Sequence, residues 1–108
     1  MNISVQTINR YTVISLDGIL DASSATDLKS RIDKLEQEKF LVIDLDKVDF
    51  LDSSGLGALV GIARRLKTDD VVLKLAHLNE RVRKVFEITQ AFTLFDIYDD
   101  VMAAAESV

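Results

Sequence analysis

The stretch Asp52-Ser53-Ser54-Gly55-Leu56-Gly57 places an acid, two hydroxyls and two glycines within six residues. A serine is a nucleophile when a base activates it, a phosphoacceptor when a kinase reaches it, or simply a helix cap. Leu56, Leu59, Val60, Ala63 and Leu66 follow at the spacing of one helix face, which sets the stretch at a helix start. There, Ser or Asp side chains accept from orphan backbone N–H groups. A phosphate added to a serine at the same place meets the positive end of the helix. The local pattern leaves two roles open: Ser53 and Ser54 cap the helix, or one of them is presented for modification.

Other chemistry has less support. Gly55-x-Gly57-x-x-x-Gly61 comes near a dinucleotide fingerprint, but the third glycine is one place late and Val60 fills its slot. Lys47 to Leu51 reads as a loop between strand and glycines, where the fingerprint needs a direct turn. His77 is the sole histidine, no nucleophile elbow accompanies it, and it reads as a surface loop residue. Asp21, Asp44, Asp49 and Asp52 match no metal-loop spacing and read as a solvated acidic rim. Without cysteine there is no disulfide frame and no thiolate site. A phosphoacceptor asks for less, since the kinase brings magnesium, base and nucleotide. The chain therefore reads as a substrate rather than an enzyme, with no cofactor.

The elements that must position the stretch follow from periodicity. Ile3, Val5 and Thr7 alternate, Asn9-Arg10 breaks the pattern, and Tyr11 to Leu16 resumes it, predicting a hairpin whose second strand closes at Asp17-Gly18. Ser24-x-x-Asp27 resembles a capping box ahead of a helix with Ala25, Leu28, Ile32 and Leu35 on one face. Phe40 to Asp46 is a buried-strand run. After the central helix, Lys67 to Asp70 turns into a strand over Val71 to Ala76. Asn79 caps a helix with Val82, Val85, Phe86 and Thr89 on one face and a Glu80–Lys84 pair outside. A short strand ends near Tyr98, and Asp99 or Asp100 caps a last helix with Val101, Ala104, Ala105 and Val108 on one side. The order β-β-α-β-α-β-α-β-α predicts an α/β domain, a mixed sheet faced by helices, as one domain over 1–108.

Asp52-Ser53-Ser54-Gly55-Leu56-Gly57, placed after a buried strand, resembles the phosphorylation signature of anti-sigma-factor antagonists, the single-domain STAS proteins of partner-switching pathways. Gly18-Ile19-Leu20-Asp21 with Ser24, Ala25 and Leu28 is similar to a second segment of that family. Ile19 stands where a glutamate is frequent, Ser24 where a threonine is common, and Asp69-Asp70 and Gln90 where glycines are usual. The resemblance implies a STAS fold and a cycle. The unmodified form binds an anti-sigma factor that is also a serine kinase, phosphorylation of Ser53 ends binding, and a PP2C-type phosphatase restores it. Ser54 matches the neighbouring hydroxyl. The implied partner surface comprises the loop before the signature, the helix start with Asp52, Ser53, Ser54, Gly55 and Gly57, and the Gly18 to Ser24 segment with Asp21 and Ser24. Two rival readings are a STAS scaffold or accessory subunit of a membrane transport or signalling complex that never cycles phosphate, and a small-molecule or nucleotide-binding module using the same helix start.

Composition bounds the partner class. The 108 residues carry 13 basic and 18 acidic side chains, a net charge of −5, which disfavours nucleic acid and favours a protein partner. Hydrophobic residues make up 48%, enough for one core. No apolar run approaches the ~18 residues of a membrane span, and Met1 to Val5 shows no signal-peptide pattern, so a cytoplasmic protein without membrane insertion is expected.

Overall fold

The computed structural model describes residues 1–106; Val108, expected on one side of the last helix with Val101, Ala104 and Ala105, lies outside them. The elements are β1 (Asn2–Ile8), β2 (Tyr11–Leu20), α1 (Ala22–Asp33), β3 (Phe40–Leu51), α2 (Ser53–Thr68), β4 (Val72–Ala76), α3 (Glu80–Thr89), a 3-10 turn (Ala91–Leu94), β5 (Asp96–Tyr98) and α4 (Val101–Glu106). The expected order holds, with the 3-10 turn added. The strands form one sheet in the order β1-β2-β3-β4-β5. β1 is antiparallel to β2 and the remaining neighbours are parallel, so α1, α2 and α3 serve as crossovers.

Strand alternation divides the core in two. Ile14, Leu16, Leu41, Ile43 and Leu75 pack with Leu28 and Ile32 of α1, Leu59 and Ile62 of α2, and Phe86 of α3. Tyr11, Val13, Val42 and Ala76 point the other way, onto Ala104 and Ala105 of α4. Lys74 is buried on that second face at 3% exposure. Its Nζ donates to the Ala104 carbonyl at 3.1 Å and lies over the rings of Tyr11 and Tyr98. A buried ammonium needs such partners, and they tie α4 to the sheet.

Both central strands run further than the sequence pattern indicates. β2 continues through Gly18 to Leu20, and Lys47 to Leu51 is strand, not loop. The β2–β3 register shifts twice, between Ser15 and Asp17 and again between Gly18 and Ile19, each time with an extra residue on β3. These bulges put Leu45, Val48 and Leu51 on the core side at a spacing of three, which hides the period of two. Gly18 takes φ 126, a conformation open to glycine.

The ends of the helices also differ in detail. Asp21, not Ser24, is the N-cap of α1; Ser24 is the third helical residue and completes a reciprocal capping box. On α2, Ile62 is buried while Val60 and Ala63 are half-buried, and on α3 Thr89 is exposed. β4 begins at Val72, one residue after the expected start. Asn79 caps α3 as expected, and Asp100 accepts from the Ala103 N–H at the start of α4. The Glu80–Lys84 pair is not among the ion pairs of the described residues. Asp70 and Gln90, where glycines were expected by resemblance, both adopt left-handed backbone, φ 60 and φ 58. Asp tolerates that region through its short polar side chain; Gln does so at a cost.

What seats α2 is Gly55. A Cβ there would stand 2.1 Å from the Leu20 carbonyl oxygen and 2.9 Å from Leu51 Cδ1. The first turn of α2 therefore rests directly on the end of β2. At Gly57 and Gly61 an added Cβ meets nothing within 4 Å.

One substitution should act with opposite signs along α2. Gly55→Ala is expected to destabilise the fold by about 2 kcal/mol, because backbone must move, while Gly57→Ala or Gly61→Ala stabilises by up to about 1 kcal/mol. Gln90→Gly should add about 1 kcal/mol by relieving the left-handed C-cap. Urea unfolding of the four variants beside the parent chain measures all of this, and a Gly55→Ala chain as stable as the parent would contradict the packing described.

Candidate functional site

The signature sits at the end of the parallel strands where α1, α2 and α3 all begin. Asp52 is the N-cap of α2: its backbone is extended, and its Oδ1 accepts from the Gly55 N–H at 2.8 Å. Its carbonyl accepts from the Leu56 N–H at 2.9 Å. Ser53 and Ser54 are therefore the first two helical residues, and both are exposed. Among the described residues no hydrogen bond holds either hydroxyl. The capping role left open for the two serines belongs to the aspartate before them. Because a carboxylate does that work, Ser53 projects from the positive end of a 16-residue helix with its Oγ uncommitted.

The neighbouring segment is built to match. Asp21 Oδ1 accepts from the Ser24 N–H at 3.1 Å, and the Asp21 N–H donates to Ser24 Oγ at 2.9 Å. Ser24 Oγ donates to the Ile19 carbonyl at 2.7 Å, pinning the end of β2 to the start of α1. The Ser24 backbone N–H, above all, holds the Asp21 carboxyl below the usual aspartate range, with the Ser24 hydroxyl helping against the cost of burial. Asp21 thus remains anionic beside the site. Asn79 braces the third helix start: its Oδ1 accepts from the Val82 N–H at 3.0 Å, and its Nδ2 donates to the Val48 carbonyl at 2.7 Å.

Of the seven residues expected on the partner surface, Ser53, Ser54 and Gly57 are exposed, and Asp21 and Asp52 are half-buried. Ser24 and Gly55 are buried and lie beneath that surface rather than on it. In the acidic rim, Asp49 is exposed. Asp44 is taken up elsewhere, accepting from Ser15 Oγ at 3.3 Å on the sheet. His77 is half-exposed on left-handed backbone, φ 62, with ring nitrogens 3.9 Å from carboxylate oxygens of Asp44 and Asp46. With β3 running straight into Asp52, separation by a loop no longer argues against a dinucleotide turn; the misplaced third glycine still does. Ile19 and Phe50, in the two segments expected to meet the partner, are exposed beside the signature; the residue pattern passed over the bond from Asn79 to β3.

Protonating Asp21 should loosen the start of α1. A carboxyl whose folded pKa is depressed contributes stability that is complete above the ordinary aspartate value of about 3.9 and is lost as pH falls through its lower folded value. Amide exchange at Ser24 is expected to quicken across that acid window in the parent chain, and Asp21→Asn should flatten the dependence.

A family model for the STAS domain matches residues 2–104. The Bordetella bronchiseptica protein BtrV, assigned as an anti-sigma factor antagonist, is 28% identical over 109 residues, covering 97% of this chain and 92% of its own. A crystal structure of a Thermotoga maritima protein with the same assignment superposes with a TM-score of 0.87 at 20% identity, covering 96% of this chain and 92% of that one. The anti-sigma factor antagonist SpoIIAA, unphosphorylated, superposes with a TM-score of 0.70 at 21% identity, covering 94% and 91%; SpoIIAA has also been solved phosphorylated. Among the described residues no helix is long and apolar enough to cross a membrane. With its full strand and helix order and nearly all its length matched, the chain belongs to the STAS domain family.

Proposed function

We propose that the chain is an anti-sigma factor antagonist whose partner surface is switched by phosphorylation of Ser53. Unmodified, it binds an anti-sigma factor that is also a serine kinase, and the sigma factor is released. The kinase transfers phosphate to Ser53 Oγ, the complex separates, and a PP2C-type phosphatase returns the chain to its binding form. The observation that carries this reading is the division of roles at the start of α2: Asp52 caps the helix, and Ser53 is exposed with no bond to give up.

The physics gives the switch its direction. A phosphate adds about −1.5 to −2 charge at pH 7. At the first helical position the fold tolerates it, because the helix dipole favours an anion there. In a close-packed interface the same charge must shed water beside the carboxylates of Asp52 and Asp21, which costs binding. Gly57, exposed one turn on with open space where a side chain would be, lets a partner backbone come close. Relatives named as anti-sigma factor antagonists support the reading.

The test is capture from lysate of the native cells by wild-type, Ser53→Ala and Ser53→Asp chains, read by mass spectrometry, with unfolding measured on each. An anti-sigma kinase is expected with the first two and not the third, and stabilities should agree within about 1 kcal/mol. Identical retention by all three would make Ser53 irrelevant to binding and favour the scaffold reading. Unfolding of Ser53→Ala would restore the plain structural role.

A further inference from the structure

Beyond the point where β1 and β4 stop, β2 and β3 run on together as a two-stranded ribbon. The β1 pairing ends at Asp17 and the β4 pairing at Asp44, while β2–β3 pairing continues to Leu20 and Leu51. On this ribbon Ile19 and Phe50 are direct cross-strand partners, 51% and 55% exposed. Leu20 and Leu51, the next residues, are buried, so alternation turns Ile19 and Phe50 together onto the opposite, outer face. No other two of the large exposed apolar side chains among the described residues are joined as strand partners.

The pair is also held in place. The Ser24 hydroxyl fixes the Ile19 carbonyl at 2.7 Å, and Asn79 fixes the Val48 carbonyl, two residues before Phe50, at 2.7 Å. Side chains on such a braced backbone lose little freedom on binding, which is what an interface anchor requires. Asp17 and Asp49 stand exposed at the flanks, beside two cations, Lys47 and Arg81, whose Nη1 donates to the Asp49 carbonyl at 3.4 Å. Asp52 and Ser53 lie two and three residues past Phe50.

We infer that Ile19 and Phe50 are the apolar anchor of the partner interface, seated in an apolar pocket of the anti-sigma kinase that presents cations opposite Asp17 and Asp49 and a close-packed, uncharged surface opposite Ser53 and Gly57. This rests on the proposed function and adds the source of affinity to it. Aromatic and branched aliphatic side chains that move from water into a pocket carry most of an interface's energy. The acids select and orient the partner. The phosphate then acts at the edge of the anchored patch, where its desolvation opposes what the anchor gains.

Calorimetric titration of the purified kinase retained by the wild-type chain tests the inference. Ile19→Ser with Phe50→Ser is expected to weaken binding about 30-fold or more, and Ile19→Asn alone to weaken it by a smaller factor. Ile88→Ser, at a site 81% exposed on α3, should leave it unchanged. Circular dichroism and melting of each variant establish that the fold is kept. Affinity within threefold of wild type in the double variant would overturn the anchor, while continued loss on Ser53→Asp would leave the phosphoswitch standing. Sedimentation that shows the wild-type chain dimerising through the pair, with monomers in the double variant, would assign the patch to self-association and overturn the inference. If the wild-type chain retains no anti-sigma kinase, both readings fall together.

Discussion

The contact between Gly55 and the Leu20 carbonyl sets the geometry of everything at the functional end. A methyl group at residue 55 would overlap that oxygen, so only glycine allows the first turn of α2 to sit on the end of β2. The contact has two consequences. It brings the α2 start level with the α1 start, which Asp21 and Ser24 organise around the last residues of β2. It also buries Leu56 and Leu51 beneath the serines, so the hydroxyls project from a rigid base. A glycine that looks like part of a recognition motif is thus a packing residue, while at its neighbour Gly57 an added Cβ would meet only open space.

The helix starts at this end share a logic of substitution. Each orphan N–H group that a serine might satisfy is met by a longer or charged side chain: Asp21 for α1, Asp52 for α2, Asn79 for α3. For α1 the serine is then free to bond inward and brace β2. For α2 the serines face solvent. A hydroxyl engaged in a cap would have to break its bond before modification, and the helix would lose roughly 1 kcal/mol each time. With the cap assigned to Asp52, the Ser53 hydroxyl carries no bond on which the helix start depends, so under the proposed switch a change at Ser53 leaves the fold intact.

The bulged ribbon of β2 and β3 gives this end its second character. Its two register shifts turn the inward leucines at a spacing of three and leave Ile19 and Phe50 outward. Further along the same side of the sheet, the surface is sealed by α4, clamped through Lys74, Tyr11 and Tyr98. Apolar surface is covered by the chain's own helix at one place and left open beside the serines at another. That contrast within one sheet is why the open pair reads as a surface kept for a partner.

Sequence periodicity by itself determined the element order, the hairpin, the faces of the main helices and the position of the signature at a helix start. These depend on local spacing and on turn residues such as Asn9-Arg10, which act over a few positions. The same local view could not choose between Asp52 and the serines as cap, because all three residue types accept from the same N–H groups. Nor could it see that Lys47 to Leu51 is strand, since bulges erase the period of two and their pairing partners lie some thirty residues away in β2. Whether a glycine serves packing or recognition, as Gly55 and Gly57 divide, depends on what stands opposite a missing Cβ. That is a distance between segments remote in the chain, and only the tertiary structure decides it.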